Sequence, residues 1–326
     1  MTHRGHETAV EPDRIRALTV AVITCQRPGL SVELVGNLAS QLGSCDELLV
    51  VDDAPAAGVH FPATEISAVD REKVRVLLTC GSGAAQARNK ALTEAKNDWI
   101  LFVDDDVVAP RDFICSVRKI LSSDECDIVT GNVVSHPAAG EVGRLFDERY
   151  PLSRGQVSRT FHGSTGTFWS PNDVWRVGVG ACMAWRTPQL RRLHGFVGTL
   201  GQGRRFGGAE DLDAFRRALC AGLTIRYEST LTVQHYPPAT RAELESKMVG
   251  YTLALGAFAA QVWLSEHRLG MAAHVLNDIL STPKRLAVEM IRKITGRSYL
   301  PLRPILMFPF HAAYAFIGYA RQSMRK

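Results

Sequence analysis

Three short runs of β-branched and aliphatic residues, LTVAVIT (18–24), ELLVVDD (47–53) and WILFVDDD (99–106), each stop abruptly on polar or acidic residues. Runs this apolar have no polar face to offer solvent. They read as strands covered on both sides, and with helical segments between them they imply a mostly parallel sheet wrapped by helices. The helices are expected over 31–42, where Val32, Val35, Leu38 and Leu42 recur at helical spacing, and over 84–95; a short strand fits Val74–Leu78. Arg27-Pro28-Gly29 reads as the stop after the first run. In such sheets ligands gather outside the carboxyl ends of the strands. Here those ends carry Thr24 to Arg27, Asp52-Asp53 and Asp104-Asp105-Asp106, three polar clusters on one edge.

The rest of the chain is less regular. Residues 130–208 are rich in Gly, Trp and Phe, as in FHGSTGTFWSPNDVW (161–175), which suggests loops and a mixed sheet around an acceptor pocket. Phe161, His162, Phe168, Trp169 and Trp175 suit either an aromatic platform for a ligand ring or plain core. Leu212, Phe215 and Leu219 predict a helix over 209–222 that ends on Gly222. LTVQHYPP (231–238) reads as a further strand and its end. Two apolar stretches, 248–264 and 305–320, have 17 and 16 uncharged residues. Both fall short of the roughly 20 a spanning helix needs, so buried or interfacial helices are expected. The organisation expected is a leader (1–17), an α/β unit (18–240) divided near residue 130, and a helical C-terminal region (241–326).

Composition removes several classes. With 326 residues, 46% hydrophobic and 22% charged, the chain is neither a small stapled scaffold nor wholly disordered. Seven cysteines, an odd number without a C-x-x-C pair, argue against a disulfide framework or zinc cluster and for a reducing compartment. The leader MTHRGHETAVEPDRIRA lacks the apolar core of a signal peptide, so a cytoplasmic location is expected, peripheral on the inner face of a membrane.

The acidic triplet is the sharpest chemical feature. Three adjacent carboxylates repel one another unless something positive sits among them, and Mg²⁺ or Mn²⁺ with hard oxygen ligands would serve; a solvated acidic turn is the plainer alternative. Glu210-Asp211 opens a predicted helix, where acids suit the helix dipole by about 0.3–1 kcal/mol each. Asp213 is expected to do no more than that, whereas a carboxylate beside a bound sugar can act as a general base. A lone strand-end histidine such as His235 is ordinarily a satisfied loop residue. GSGAAQA (81–87) has Gln86 where a dinucleotide fingerprint needs its third glycine, so Arg88, at a helix start, reads better as a phosphate clamp.

Taken in order, VAVIT with Arg27, VVDDA, a glycine segment ending ARN, ILFVDDD, GGAEDLDAFRRALCAG and VQH resemble the GT-A fold family 2 of inverting glycosyltransferases over about 18–236. The resemblance implies a Rossmann-like α/β sheet and transfer of a hexose from a nucleoside-diphosphate sugar, UDP-linked by expectation, to a hydroxyl on a glycan, glycolipid or other acceptor, in cell-envelope polysaccharide or glycoconjugate synthesis. It makes Asp104, Asp106 and His235 metal ligands, with Asp104 and Asp105 also at the nucleotide. It places Asp52 at the base, with Asp53, Thr24 and Arg27 nearby, and Arg88 near the diphosphate. Asp211 becomes the base, beside Glu210. The stretch 135–175 matches nothing assignable. A sugar-1-phosphate nucleotidyltransferase would need a Gly- and Arg-rich loop after the first strand, and Cys25 to Gly29 is a poor version of it. A non-catalytic sugar-nucleotide scaffold would not need Asp104, Asp106, Glu210 and Asp211 together.

The net charge of +5 is unevenly spread. Residues 283–326 carry nine Lys or Arg against Glu289, a net +8, leaving −3 for the other 282 residues. A basic tail interleaved with an apolar run suits an anionic membrane surface, or else forms a cap packed on the enzyme. No nucleic-acid motif accompanies the basic pI, and no nucleic-acid partner is expected.

Overall fold

The computed structural model describes residues 17–56, 58–67, 71–123, 125–165, 170–266 and 270–324. The leader up to residue 16, Phe168, Trp169 and the last two basic residues lie outside them. Nine strands form one sheet: β1 (Leu18–Thr24), β2 (Glu47–Asp52), β3 (Val74–Leu78), β4 (Trp99–Asp104), β5 (Val107–Val108), β6 (Ile128–Ser135), β7 (Arg159–His162), β8 (Cys182–Arg186) and β9 (Thr224–His235). Their order is β3-β2-β1-β4-β8-β6-β9-β5, with β7 on β9. β1 to β4 pair in parallel, β8 enters antiparallel between β4 and β6, and β6 and β9 are again parallel. The sheet is therefore α/β and mostly parallel, as the apolar runs imply.

Successive residues of each run point to opposite sides of the sheet. On one side Val20, Val22, Val50, Leu101 and Val103 pack with Leu34, Val35 and Leu38 of α1 (Pro28–Ser40) and Phe113, Ile114 and Val117 of α3 (Phe113–Leu121). On the other, Ala21, Ile23, Val51, Ile100 and Phe102 pack with Ala87, Ala91 and Leu92 of α2 (Ala84–Glu94) and Phe215 and Leu219 of α7 (Glu210–Cys220). Pro28 stops β1 and begins α1 at once, because its fixed φ suits a first helical turn and its missing N–H costs nothing there. Smaller helices α4 (Glu141–Arg149), α5 (Pro171–Trp175) and α6 (Thr187–Arg192) lie between the later strands.

The C-terminal region is three helices, α8 (Arg241–Glu266), α9 (Gly270–Ile294) and α10 (Leu302–Ser323). The 248–264 stretch lies within α8, whose length and composition would allow a membrane crossing, yet half of its apolar window is buried inside the fold. Gly256 explains the fit: a Cβ there would meet the Ala312 carbonyl at 2.4 Å and the Ala315 Cβ at 3.0 Å, so α8 and α10 touch backbone to backbone. Glu289, the single acid of the basic tail, is buried; Arg149 lies 3.1 Å from it and Leu300 N–H donates to it at 2.8 Å. The helical region is thus packed on its inner side, but its outer side leaves Leu276, Leu280, Ile291 and Ile294 of α9 and Leu306, Phe310 and Ile317 of α10 exposed.

Candidate active site

The parallel register sets Thr24 beside Asp52 and Ile23 beside Asp104, so the three strand ends meet at one edge. The carboxylates there are used in two different ways. Asp52, 1% exposed, accepts from Ala54 N–H and Phe61 N–H, both at 2.9 Å, and sits 2.9 Å from His60 Nδ1. Asp53 accepts from Thr79 Oγ1, the Ser82 amide and hydroxyl, and Gly83 N–H, at 2.7–3.1 Å. Both spend their oxygens on the chain itself. Asp53 pins a loop with positive φ at Cys80, Gly81 and Gly83, which delivers the chain into α2 and thereby aims Arg88.

Asp104, Asp105 and Asp106 do not depend on an added cation to coexist. Arg88 Nη2 donates to Asp104 Oδ1 at 2.8 Å. Thr24 Oγ1 and Arg27 Nη1 donate to Asp105 at 2.9 and 3.0 Å. Arg27 also donates to Asp106 at 2.7 Å, and His235 Nε2 lies 3.3 Å from its other oxygen. His235 is placed by β5, where Val107 pairs with it across the sheet. Burial alone would raise the Asp106 carboxyl, but His235 and Arg27 outweigh it and hold the group well below its ordinary range. Asp105, buried and beside two other carboxylates, is pushed up to about 6 despite Arg27.

Arg88 joins this edge to α7. Its guanidinium reaches Asp104 with one nitrogen and Glu210 with another, across 122 residues of sequence. Burial disfavours its charge, yet Asp104, Glu210 and Asp211 together raise its pKa. Glu210 moves up because of burial and Asp211, with Arg88 opposing. Asp211 accepts from Gly180 N–H at 2.7 Å and Leu212 N–H at 2.8 Å, which fixes the carboxylate while each oxygen keeps acceptor capacity. A Cβ at Gly180 would lie 3.0 Å from Asp211 Oδ2 and 3.3 Å from Arg88 Nη2, so an added side chain would press on both groups. Ala209, just before α7, holds a left-handed φ of 64°, a strained conformation typical of functional sites. Asp213 does more than suit the dipole: buried, it accepts from Arg217 at 2.7 Å, and Arg217 also donates to the Gly195 carbonyl at 2.7 Å.

Sequence reading missed four residues here. Lys247 of α8 lies close enough to Asp106 to interact with it, with burial lowering its pKa, and Tyr251, one turn on, is held protonated by burial and by Asp211 and Asp106. Arg154 and Gly180 come from irregular segments. The advance signal is the i, i+4 pair Lys247/Tyr251 at the start of the apolar stretch 248–264. Of the aromatic set, Phe161 packs on the sheet, His162 is exposed, and Trp175 lies half-exposed under the Arg154 guanidinium.

The donors fit Mg²⁺ or Mn²⁺ in kind, being carboxylate oxygens and one imidazole. Asp106 and His235 come together, whereas Asp104 is turned to Arg88, and among the described residues no three His, Cys, Asp or Glu are gathered to hold a metal. Two protein ligands suit an ion that completes its shell with substrate phosphates and water.

The model for the family described as glycosyl transferase family 2 matches residues 19–174. Among solved structures, a mannosyltransferase from Pyrobaculum calidifontis, in complex with GDP-Man and Mn²⁺, is similar over 97% of this chain and 90% of its own, at 18% identity and a TM-score of 0.54. S. aureus TarS 1-349 is similar over 95% and 91%, at 16% identity and a TM-score of 0.47. No curated protein matches the chain. Residues 19–174 are thus similar to family 2 glycosyl transferases, and the chain as a whole has a GT-A-like α/β fold.

Proposed function

We propose that the protein transfers a hexose from a nucleoside-diphosphate sugar, a UDP-sugar by preference, to an acceptor hydroxyl with inversion, with Asp211 as general base. The observation that carries this reading is the Arg88 bridge, which sets the β4 carboxylate edge against the start of α7 where Asp211 is fixed by Gly180 and Leu212. The acceptor hydroxyl gives its proton to Asp211 as its oxygen attacks the anomeric carbon from the face opposite the diphosphate. The bond from that carbon to the diphosphate oxygen breaks, and the nucleoside diphosphate leaves with its electron pair. Thr24, Arg27, Asp104 and Asp105 face the donor; Asp52 and Asp53 act behind them, shaping the loops that line its base and phosphates. Asp106 and His235 would hold a Mg²⁺ or Mn²⁺ ion, which when bound offsets charge on the leaving diphosphate. The structure of the similar mannosyltransferase with GDP-Man and Mn²⁺ supports a sugar-nucleotide donor. Thermal shift with UDP, GDP and dTDP, each with and without Mn²⁺, tests the reading. Metal-dependent stabilisation by one of them is expected, and no response to any would overturn it.

The acceptor is envelope glycan or glycolipid at a membrane surface. Supporting this, the exposed apolar residues of α9 recur at helical spacing along one side, and Lys284, Lys293, Arg303 and Arg321 are exposed on α9 and α10. Each basic residue near anionic lipid contributes about 1 kcal/mol. The protein would then act on the inner face of the membrane. Deleting 283–326 would strip Ala312, Ala315 and Tyr319 from the core, so the better test is Leu280→Glu with Ile294→Glu. Loss of binding to phosphatidylglycerol vesicles is expected, and undiminished binding would refute it.

A further inference from the structure

Arg154 is 9% exposed and stands in the loop between α4 and β7. Its Nη1 donates to the Pro151 carbonyl at 2.7 Å, and its Cζ lies over the Trp175 ring, 4.2 Å from the ring centre. Nε and Nη2, the two nitrogens on its other edge, are buried with no hydrogen-bond partner. No carboxylate among the described residues forms an ion pair with it; the one that acts on its charge is Asp211, and burial still lowers its pKa to about 10. The loop is firmly built: Tyr227, fully buried, accepts from the Arg154 amide at 3.2 Å and donates to the Gly155 carbonyl at 2.7 Å, while Ser158 donates to Glu228 at 2.7 Å. A rigid loop thus holds a charged group whose free donors the protein does not satisfy.

An arginine edge offers two parallel N–H groups, the geometry that matches two oxygens of one phosphate or carboxylate. We propose that the Nε/Nη2 edge of Arg154 receives an oxyanion of the acceptor, so that the acceptor is an anionic molecule, phosphate- or carboxylate-bearing, anchored beside the hydroxyl that Asp211 deprotonates. The inference rests on the reading of Asp211 as base and adds the charge of the substrate. Because the edge is shielded from water, the oxyanion enters by displacing a neighbouring side chain.

The test uses the full chain with UDP and Mn²⁺ saturating, so that the donor site is filled, and titrates inorganic phosphate and, separately, glucuronic acid by calorimetry. Wild type is expected to bind at least one; phosphate alone assigns a phosphate-bearing acceptor, glucuronic acid alone a uronic-acid glycan. Arg154→Gln should weaken that binding about 10- to 100-fold, with Arg154→Lys intermediate because a point charge lacks the paired donors. Unchanged UDP affinity and near-ultraviolet dichroism in both variants report an intact fold. Equal anion binding by wild type and Arg154→Gln, or no binding by wild type, would overturn the proposal. Failure of wild type to bind UDP would instead count against the glycosyl transfer reading.

Discussion

The carboxyl edge of β1, β2 and β4 and the wall formed by the Arg154 loop and α8 border the same site, but they handle charge in opposite ways. At the strand edge every carboxylate is answered from within the chain: Asp52 and Asp53 by backbone amides, Asp104 by Arg88, Asp105 and Asp106 by Arg27. At the wall, Arg154 keeps two buried donors unanswered. Answered charges give a fixed frame that exists before any ligand arrives. An unanswered one presents donors that the oxygens of a ligand can satisfy.

The sharpest way to break this contrast is at its junction. Asp211→Asn should cost about 10²–10⁴-fold in turnover while leaving UDP binding nearly intact; wild-type turnover would remove Asp211 as the base. Arg88→Met leaves Asp104 and Glu210 buried or half-buried without their counterion and should cost about 3–5 kcal/mol of stability, read by urea unfolding. A loss under about 1 kcal/mol would show the edge is not held by that bridge. Gly180→Ala crowds Asp211 and Arg88 by a few tenths of an ångström. About a tenfold loss in turnover is expected with little change in unfolding midpoint, and an equal loss of both would make Gly180 a packing residue only.

The remaining effect concerns the frame of the wall. Glu228 accepts from Ser158, Thr230 and Arg226, and although burial works against its charge, these hold it down at about 2. A carboxyl lowered in the folded state stabilises it above the unfolded value near 4.5 and loses that contribution as pH falls toward 2. Glu228→Gln should therefore remove on the order of 2 kcal/mol at neutral pH and flatten the acid limb of stability against pH. An unchanged acid limb would show that the loop is held by Tyr227 alone.

The two regions also differ in how far the sequence discloses them. Apolar runs that end in Asp or Thr place their polar residues at a sheet edge by local pattern, so Thr24, Asp104 and Asp106 could be found without coordinates. Asp52 and Asp53 show the limit of that reasoning: their position was legible, but whether an oxygen faces a ligand or the chain's own amides depends on the path of the following loop. Likewise the triplet points to a metal, while the counter-charges come from elsewhere in the chain, Arg27 from the start of α1 and Arg88 from within α2. Arg154, Gly180, Lys247 and Tyr251 carried no motif, because their place depends on a loop tied to β9 and on α8 folding back across the sheet. The helix 270–294 was not singled out either, since its apolar side faces outward rather than into a core.

The backbone contact at Gly256 gives α8 a mechanical meaning. Lys247 and Tyr251 lie nine and five residues before it, about 13 and 8 Å along the helix, and at Gly256 the helix leans on α10 with no side chain between them to deform. That contact is one point of a longer seam: Ala257 and Ala260 of α8 share a buried cluster with Ala315 and Tyr319 of α10, and Phe258 and Ala259 share another with Phe308 and Ala312. Lys247 and Tyr251 therefore stand on a helix clamped along α10, and their distance from the strand ends is set by that seam. Replacing that glycine by any larger residue would force the two helices apart along the seam, because its Cβ would meet the Ala312 carbonyl at 2.4 Å.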